Sequence, residues 1–102
     1  MKYRREDSFI ADYARLSEPE RELFKAAVRR MNDAYAQRGE QKLPSWPAHL
    51  RIRDVEGAPG VFEMTWSFAG PDGRATFELI TVDDEPAVKW RRIGDHKIFR
   101  RP

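Results

Sequence analysis

The sequence predicts an α+β fold in which an N-terminal antiparallel helix hairpin packs on one face of a mainly antiparallel sheet of four or five strands. Apolar residues recur at helical spacing up to about residue 38, and from His49 onward they alternate with polar residues. Short turn-forming segments separate the alternating stretches, which favours an antiparallel meander. The chain has 102 residues, and we expect residues 1–102 to form one domain.

Two helices are predicted first. Ser8 is placed to cap the first helix, and its apolar positions are Phe9, Ile10, Tyr13 and Leu16. Ser17 and Glu20 form a capping box for the second helix, and Gly39 is a plausible stop. Only a short link separates the two helices, so we expect a tight hairpin. The apolar stripe of the second helix comprises Leu23, Phe24, Ala27, Val28, Met31 and Tyr35.

The strands follow a loop from Gly39 to Ala48, where Pro44 and Pro47 disfavour regular structure. Turns are predicted at Glu56–Gly60, Gly70–Gly73 and Asp83–Glu85, and Lys2–Arg5 is a candidate first strand. The core-facing positions are Leu50, Ile52, Phe62, Met64, Trp66, Phe68, Ala75, Phe77, Leu79, Val88 and Trp90.

The opposite face of the sheet is polar, and we expect it to be open to water and to carry the functional residues. With simple alternation, it presents Glu63, Thr65, Arg74, Thr76, Glu78, Lys89 and Arg91.

The amino-acid composition limits the kinds of chemical site that we expect in this chain. The chain has no cysteine and only two histidines, so we expect no disulfide, no metal site and no cofactor. The N-terminus is charged and no apolar run reaches membrane-spanning length, so we expect a cytoplasmic protein without a membrane partner.

Positive charge is concentrated near the C-terminal end, where residues 87–102 hold six basic residues against one acidic residue. This cluster suits an anionic partner such as nucleic acid, and the alternative is a solvated basic tail.

Three segments in order carry a family resemblance: Gly60–Met64, Gly73–Phe77 and Trp90–Phe99. Together with the helix–helix–sheet order, they resemble toxins of the RelE/ParE superfamily, the RelE- and HigB-like toxins of type II toxin–antitoxin systems. The resemblance implies a ribosome-dependent messenger RNA endoribonuclease, in which the 2′-hydroxyl attacks the scissile phosphate. It also implies a cognate antitoxin, the ribosome and messenger RNA as partners.

The resemblance also implies two catalytic residues. Arg74 matches the arginine that holds the scissile phosphate, and His96 matches a proton donor to the leaving oxygen. Glu63 lies on the predicted open face, in the strand before Arg74, and this position makes it the candidate general base. The alternatives are a surface arginine beside a turn, a turn histidine, and an ion pair of Glu63 with Arg74 or Lys89. The candidate RNA-binding residues are Lys89, Arg91, Arg92, Lys97, Phe99, Arg100 and Arg101.

Three functions stay open at this stage. Arg74 and His96 favour the ribosome-dependent nuclease over a ParE-like gyrase inhibitor with the same fold. Glu63 and Thr65 stand where some family nucleases have basic residues, and Phe99 stands where active members usually have tyrosine. These two departures, together with a net charge of only +2, favour a non-toxic binding protein.

Overall fold

The computed structural model describes residues 1–67 and 72–102. Within these residues the fold has two α-helices and five strands, with a 3₁₀ helix before the second strand and another after the last. The elements in chain order are β1 (Lys2–Arg5), α1 (Asp7–Ala14), α2 (Glu18–Ala36), the first 3₁₀ helix (Ala48–Leu50), β2 (Arg53–Asp54), β3 (Val61–Ser67), β4 (Gly73–Val82), β5 (Glu85–Gly94) and the C-terminal 3₁₀ helix (His96–Arg100).

One sheet contains all five strands, in the order β1-β5-β4-β3-β2. β1 runs parallel to β5, and the remaining neighbours are antiparallel. The predicted α+β class and the mainly antiparallel five-stranded sheet are therefore confirmed, including the first strand at Lys2–Arg5. Among the described residues, no helix combines the length and the apolar character needed to cross a membrane.

The helix starts follow local hydrogen bonding. At α2 the predicted capping box is present, because the Glu20 N–H donates to the Ser17 hydroxyl at 3.3 Å and the Ser17 N–H donates to the Glu20 carboxylate at 2.8 Å. The prediction that Ser8 caps α1 is wrong. The N-cap residue is Glu6, and its N–H donates to the Trp90 carbonyl of the sheet. The Ser8 hydroxyl does not cap the helix and donates instead to the Arg91 carbonyl at 2.7 Å.

The core lies between the helices and the sheet, with Phe77 completely buried at its centre. Trp66 and Trp90 are only 6% and 4% exposed, as the predicted register requires. Phe9 and Phe24, one from each helix, both contact the Trp90 ring, with centroids 5.8 and 5.0 Å away. Leu23 does not join them and is 46% exposed, because the buried positions of α2 are Phe24, Ala27 and Met31.

The segment before β2 differs from the prediction. Leu50 and Ile52 were expected to alternate along a strand, but Leu50 ends a 3₁₀ helix and β2 has only two residues. The Leu50 N–H donates to the Pro47 carbonyl, and Arg51 adopts the left-handed conformation at φ 49°. Leu50 is nevertheless buried, so its apolar character was interpreted correctly while its backbone conformation was not.

A β-bulge changes the faces of β5. Thr76 of β4 pairs with Arg92, whereas the next residue, Phe77, pairs with Trp90, so Arg91 is the extra residue. Beyond this bulge, Arg92 lies in the same cross-strand row as Thr76, on the polar face, and Ile93 is 2% exposed and lies in the core.

The predicted turn at Asp83–Glu85 is confirmed as a two-residue link between β4 and β5. Phe68, Gly70 and Pro71, which carried predictions of their own, lie outside the described residues.

Candidate functional site on the polar face of the sheet

Three cross-strand rows build the polar face. The first joins Glu63 of β3, Thr76 of β4 and Arg92 of β5, and the second joins Thr65, Arg74 and Gly94. A third row joins Val61 with Glu78 and Lys89. The sequence-predicted residues of β3 and β4 thus share one face, in adjacent rows.

The prediction that this face is open to water is wrong, because the chain beyond β5 folds over it. The Thr76 hydroxyl and the Arg91 Nε–H donate to the same main-chain oxygen of Pro102, at 2.9 and 3.0 Å. Arg92 Nη1 donates to the Arg101 carbonyl at 3.2 Å, and the side chain of Ile98 is buried. The polar donors of the sheet bind main-chain oxygens of this segment, which explains why the segment lies here.

Arg74 is a buried arginine, which excludes the surface alternative. It is 6% exposed, and its Nη2 lies 3.3 Å from the Asp72 carboxylate. Its Nη1 reaches the Gly73 carbonyl at 3.4 Å, and within the described part of the chain its Nε has no hydrogen-bond partner. A buried guanidinium with an unused donor is a candidate for binding an anion.

His96 begins the C-terminal 3₁₀ helix and is exposed. Its ring meets the ring of Phe99 edge-on, with centroids 5.4 Å apart. One cavity of about 410 Å³ lies here, and it is lined by Asp72, Asp95, His96 and Lys97. Because Asp72 is the ion-pair partner of Arg74, the structure brings Arg74 and His96 to the same edge of the sheet.

Glu63 and Lys89 do not belong to this cavity. Glu63 is buried and receives a hydrogen bond from Arg53 Nε at 2.7 Å, so its ion-pair partner is neither Arg74 nor Lys89. Lys89 Nζ lies 3.1 Å from Glu6 and 3.4 Å from Glu78. Glu6 is the main reason why the pKa of Lys89 is raised.

The fold is settled by comparison with solved structures. A RelB–RelE antitoxin–toxin complex from Methanococcus jannaschii matches with a TM-score of 0.60 and 14% identity, over 95% of this chain and 94% of that one. The intact E. coli RelBE toxin–antitoxin complex matches with a TM-score of 0.54 and 16% identity, over 92% and 94%. This chain has the RelE-like fold. No protein-family model and no curated protein sequence matches it.

Carboxylates neutralise half of the cations that were predicted to bind RNA on this RelE-like sheet. Arg91 Nη1 bonds Glu78 at 2.9 Å, and this bond is the main reason why the pKa of Glu78 is lowered. Arg92 forms a two-point pair with Asp12, at 2.6 and 3.2 Å, which raises the pKa of Arg92. The remaining predicted cations are exposed and form no ion pair with any described residue; they are Lys97, Arg100 and Arg101.

Sequence reasoning missed two acids that form ion pairs with predicted site residues, Asp72 with Arg74 and Asp12 with Arg92. Asp72 was assigned only to a turn, although its position two residues before Arg74 was a usable signal for an ion pair. Asp12 stands in α1, 80 residues from Arg92. A carboxylate three residues after Phe9, on the apolar side of a short helix, was the only hint of a buried partner.

Proposed function

We propose that this RelE-like chain is the toxin of a toxin–antitoxin pair and acts on messenger RNA in the ribosome as an endoribonuclease. The observation that carries the proposal is the common edge of Arg74, Asp72 and His96, where a buried guanidinium stands beside a cavity lined by a carboxylate and an imidazole. The similar solved structures are toxin–antitoxin complexes, which supports an antitoxin partner. We also propose a cytoplasmic location.

In the proposed reaction, the 2′-oxygen attacks the phosphorus and the bond to the 5′-oxygen breaks, leaving a 2′,3′-cyclic phosphate and a 5′-hydroxyl. Arg74 stabilises the charge on the phosphate oxygens through its positive charge, next to the cavity that Asp72 and His96 line. His96 donates a proton to the departing 5′-oxygen. Asp72 lines the same cavity as His96, so it is better placed than Glu63 to accept the 2′-proton.

RNA contacts are expected at the exposed end of the chain. Lys97, Arg100 and Arg101 offer unpaired charges for phosphates, and Phe99 offers a ring beside His96 on which a base can stack. Lys89, Arg91 and Arg92 contribute less to this proposal, because carboxylates already neutralise them.

The same neutralisation favours a second candidate, a non-toxic binding protein with the RelE-like fold. On this alternative, the polar face is a structural network closed by residues 101–102, and binding of the antitoxin or of DNA is the retained function. The two candidates differ in one observable property, which is growth arrest on induction.

The test compares growth and messenger cleavage after induction of wild type, His96→Ala and His49→Ala. His49 is the only other histidine and is also exposed, so it is the matched control. We expect His96→Ala to slow cleavage by about 10²- to 10⁴-fold, the usual contribution of a general acid, while His49→Ala cleaves like wild type. Cleavage is measured by mapping 5′ ends on messenger RNA.

Arg74→Ala and Asp72→Asn complete the series. Loss of charge stabilisation in Arg74→Ala should cost about 10²- to 10³-fold in rate, and circular dichroism must show that this buried position still permits folding. Arrest without cleavage in all variants would point to gyrase as the target. Absence of arrest by wild type would favour the binding protein and refute the nuclease.

A further inference from the structure

A cavity of about 370 Å³ lies between β1, α1 and α2, on the helix side of the sheet. Its volume falls within the range of small-molecule sites in proteins, which is about 300–1,000 Å³. Five aromatic side chains line it, and they are Tyr3, Phe9, Tyr13, Phe24 and Trp90. None of them belongs to the candidate RNA site, so the cavity is a separate candidate for ligand binding.

The aromatic rings of this cavity are arranged to receive another flat ring. Phe9 stacks between Tyr13 and Trp90, with interplanar angles of 24° and 29° and centroids 5.9 and 5.8 Å away. Tyr3 is the most exposed ring of the five, at 56%, so a ligand can reach it directly from solvent. Aromatic surface of this kind favours a planar ligand over a branched aliphatic one, because flat rings gain contact by stacking.

Three cations and no acid complete the lining. Arg5, Lys25 and Arg29 border the cavity, and no acidic residue of the described chain does so. Arg5 and Arg29 form no ion pair with any described residue. Lys25 has only an exposed ion pair with Glu22, at 3.3 Å. The cavity therefore carries uncompensated positive charge, in contrast with the cations of β5.

We propose that this cavity binds a free mononucleotide, which joins a planar base to one phosphate. The base enters the aromatic part of the cavity, where Tyr3 offers it a ring. The phosphate meets the guanidinium groups of Arg5 and Arg29 at the rim. A guanidinium suits this role, because it is permanently charged and presents paired N–H donors to phosphate oxygens.

Both halves of this ligand are needed to satisfy the lining. A purely apolar ligand would leave three cations without an anionic partner, and inorganic phosphate would leave the aromatic surface in water. A volume near the lower end of the usual range fits one nucleotide rather than several. The inference goes beyond the proposed function and does not depend on it, because the cavity and the RNA site share no residue.

The experiment titrates the isotope-labelled full chain with adenosine 5′-monophosphate, followed by nuclear magnetic resonance. We expect saturable shift changes at the amides of Tyr3 and Arg5 and at the Trp90 indole. Adenosine and ribose 5-phosphate should each bind more weakly than the mononucleotide, because the first lacks the phosphate and the second lacks the base.

Two pairs of variants test the charge and the stacking. Arg29→Gln should weaken binding about three- to tenfold, the effect of losing one charge-assisted contact. Arg30→Gln is the same change on the next residue, which does not line the cavity, and it should bind like wild type. Tyr3→Leu should weaken binding at least about fivefold, the lower end of what one base–aromatic stack contributes. Tyr3→Phe keeps the ring and should bind like wild type.

Several outcomes would overturn the proposal. They are an absence of saturable shifts, equal binding of the three ligands, an equal loss in Arg29→Gln and Arg30→Gln, or an equal loss in Tyr3→Leu and Tyr3→Phe. Shift changes confined to residues 72–74 and 95–102 would assign the nucleotide to the proposed RNA site and refute binding in this cavity. If a short 2′-O-methylated RNA shifted the same amides at lower concentration than the mononucleotide, RNA would replace the free nucleotide as the occupant.

Discussion

Asp12 shows how much of this structure depends on single polar residues. Its carboxylate is 7% exposed and accepts hydrogen bonds from Arg92 Nε, Arg92 Nη2 and the Ile93 N–H. It therefore joins α1 to β5 immediately after the bulge at Arg91, and it neutralises a cation that would otherwise face the candidate RNA site. One helix residue thus contributes both to the fold and to the electrostatics of the site.

Asp12→Ala should lower the free energy of unfolding by about 2–4 kcal/mol, because it leaves the buried Ile93 N–H and a half-buried arginine without their acceptor. Asp12→Asn should cost less, since the amide oxygen still accepts from the Ile93 N–H. Urea denaturation of the two variants and wild type measures the difference. A cost below about 0.5 kcal/mol in Asp12→Ala, the range of ordinary surface changes, would contradict this account.

At the scale of elements, the features that the sequence predicted correctly depend on neighbours in the chain. The Ser17 capping box, the helical stripe of α2 apart from Leu23, and the turn at Asp83–Glu85 are local patterns, and all three are present. The bulge at Arg91 was missed because it is a relation between two strands. Simple alternation would place Ile93 on the polar face, and only the pairing with β4 turns it into the core.

The β4–β5 turn offers a stabilising change. Asp83 and Asp84 both have positive φ, 51° and 63°, a conformation that glycine adopts without a steric cost. Asp84→Gly should raise the free energy of unfolding by about 0.5–1 kcal/mol, measured by thermal and urea denaturation. Asp83→Gly should gain less, because Asp83 also pairs with Lys2 at 3.1 Å. A larger gain at Asp83 would show that this ion pair contributes nothing.

For the whole molecule, the sequence predicted which residues of β3 and β4 share the polar face but not which ion pairs and hydrogen bonds they form there. The positive and negative residues can be counted in the sequence, but the ion pairs that they form cannot be read from it. The three cations of β5 form ion pairs with acidic residues outside that strand. Lys89 pairs with Glu6 and Glu78, Arg91 pairs with Glu78, and Arg92 pairs with Asp12. The covering of Thr76 by residues 101–102 is likewise a long-range contact, without a periodic signal in the sequence.

This charge pairing gives a prediction for RNA binding. If all six predicted cations contacted phosphates of a single-stranded RNA, the logarithm of the affinity would fall with the logarithm of salt concentration with a slope of about −4. If only Lys97, Arg100 and Arg101 do so, the slope is about −2. We expect the shallower slope, because opening three ion pairs would offset the energy of three new phosphate contacts.

The measurement uses a short 2′-O-methylated RNA, which the proposed reaction cannot cleave, with affinities determined by fluorescence anisotropy over a series of salt concentrations. Arg100→Gln should make the slope shallower by about 0.7, the contribution of one phosphate contact to a single strand. Lys89→Gln should leave it unchanged, since its charge is compensated by Glu6 and Glu78. A slope near −4, or an equal change in both variants, would show that RNA opens the ion pairs and that the whole polar face belongs to the binding surface.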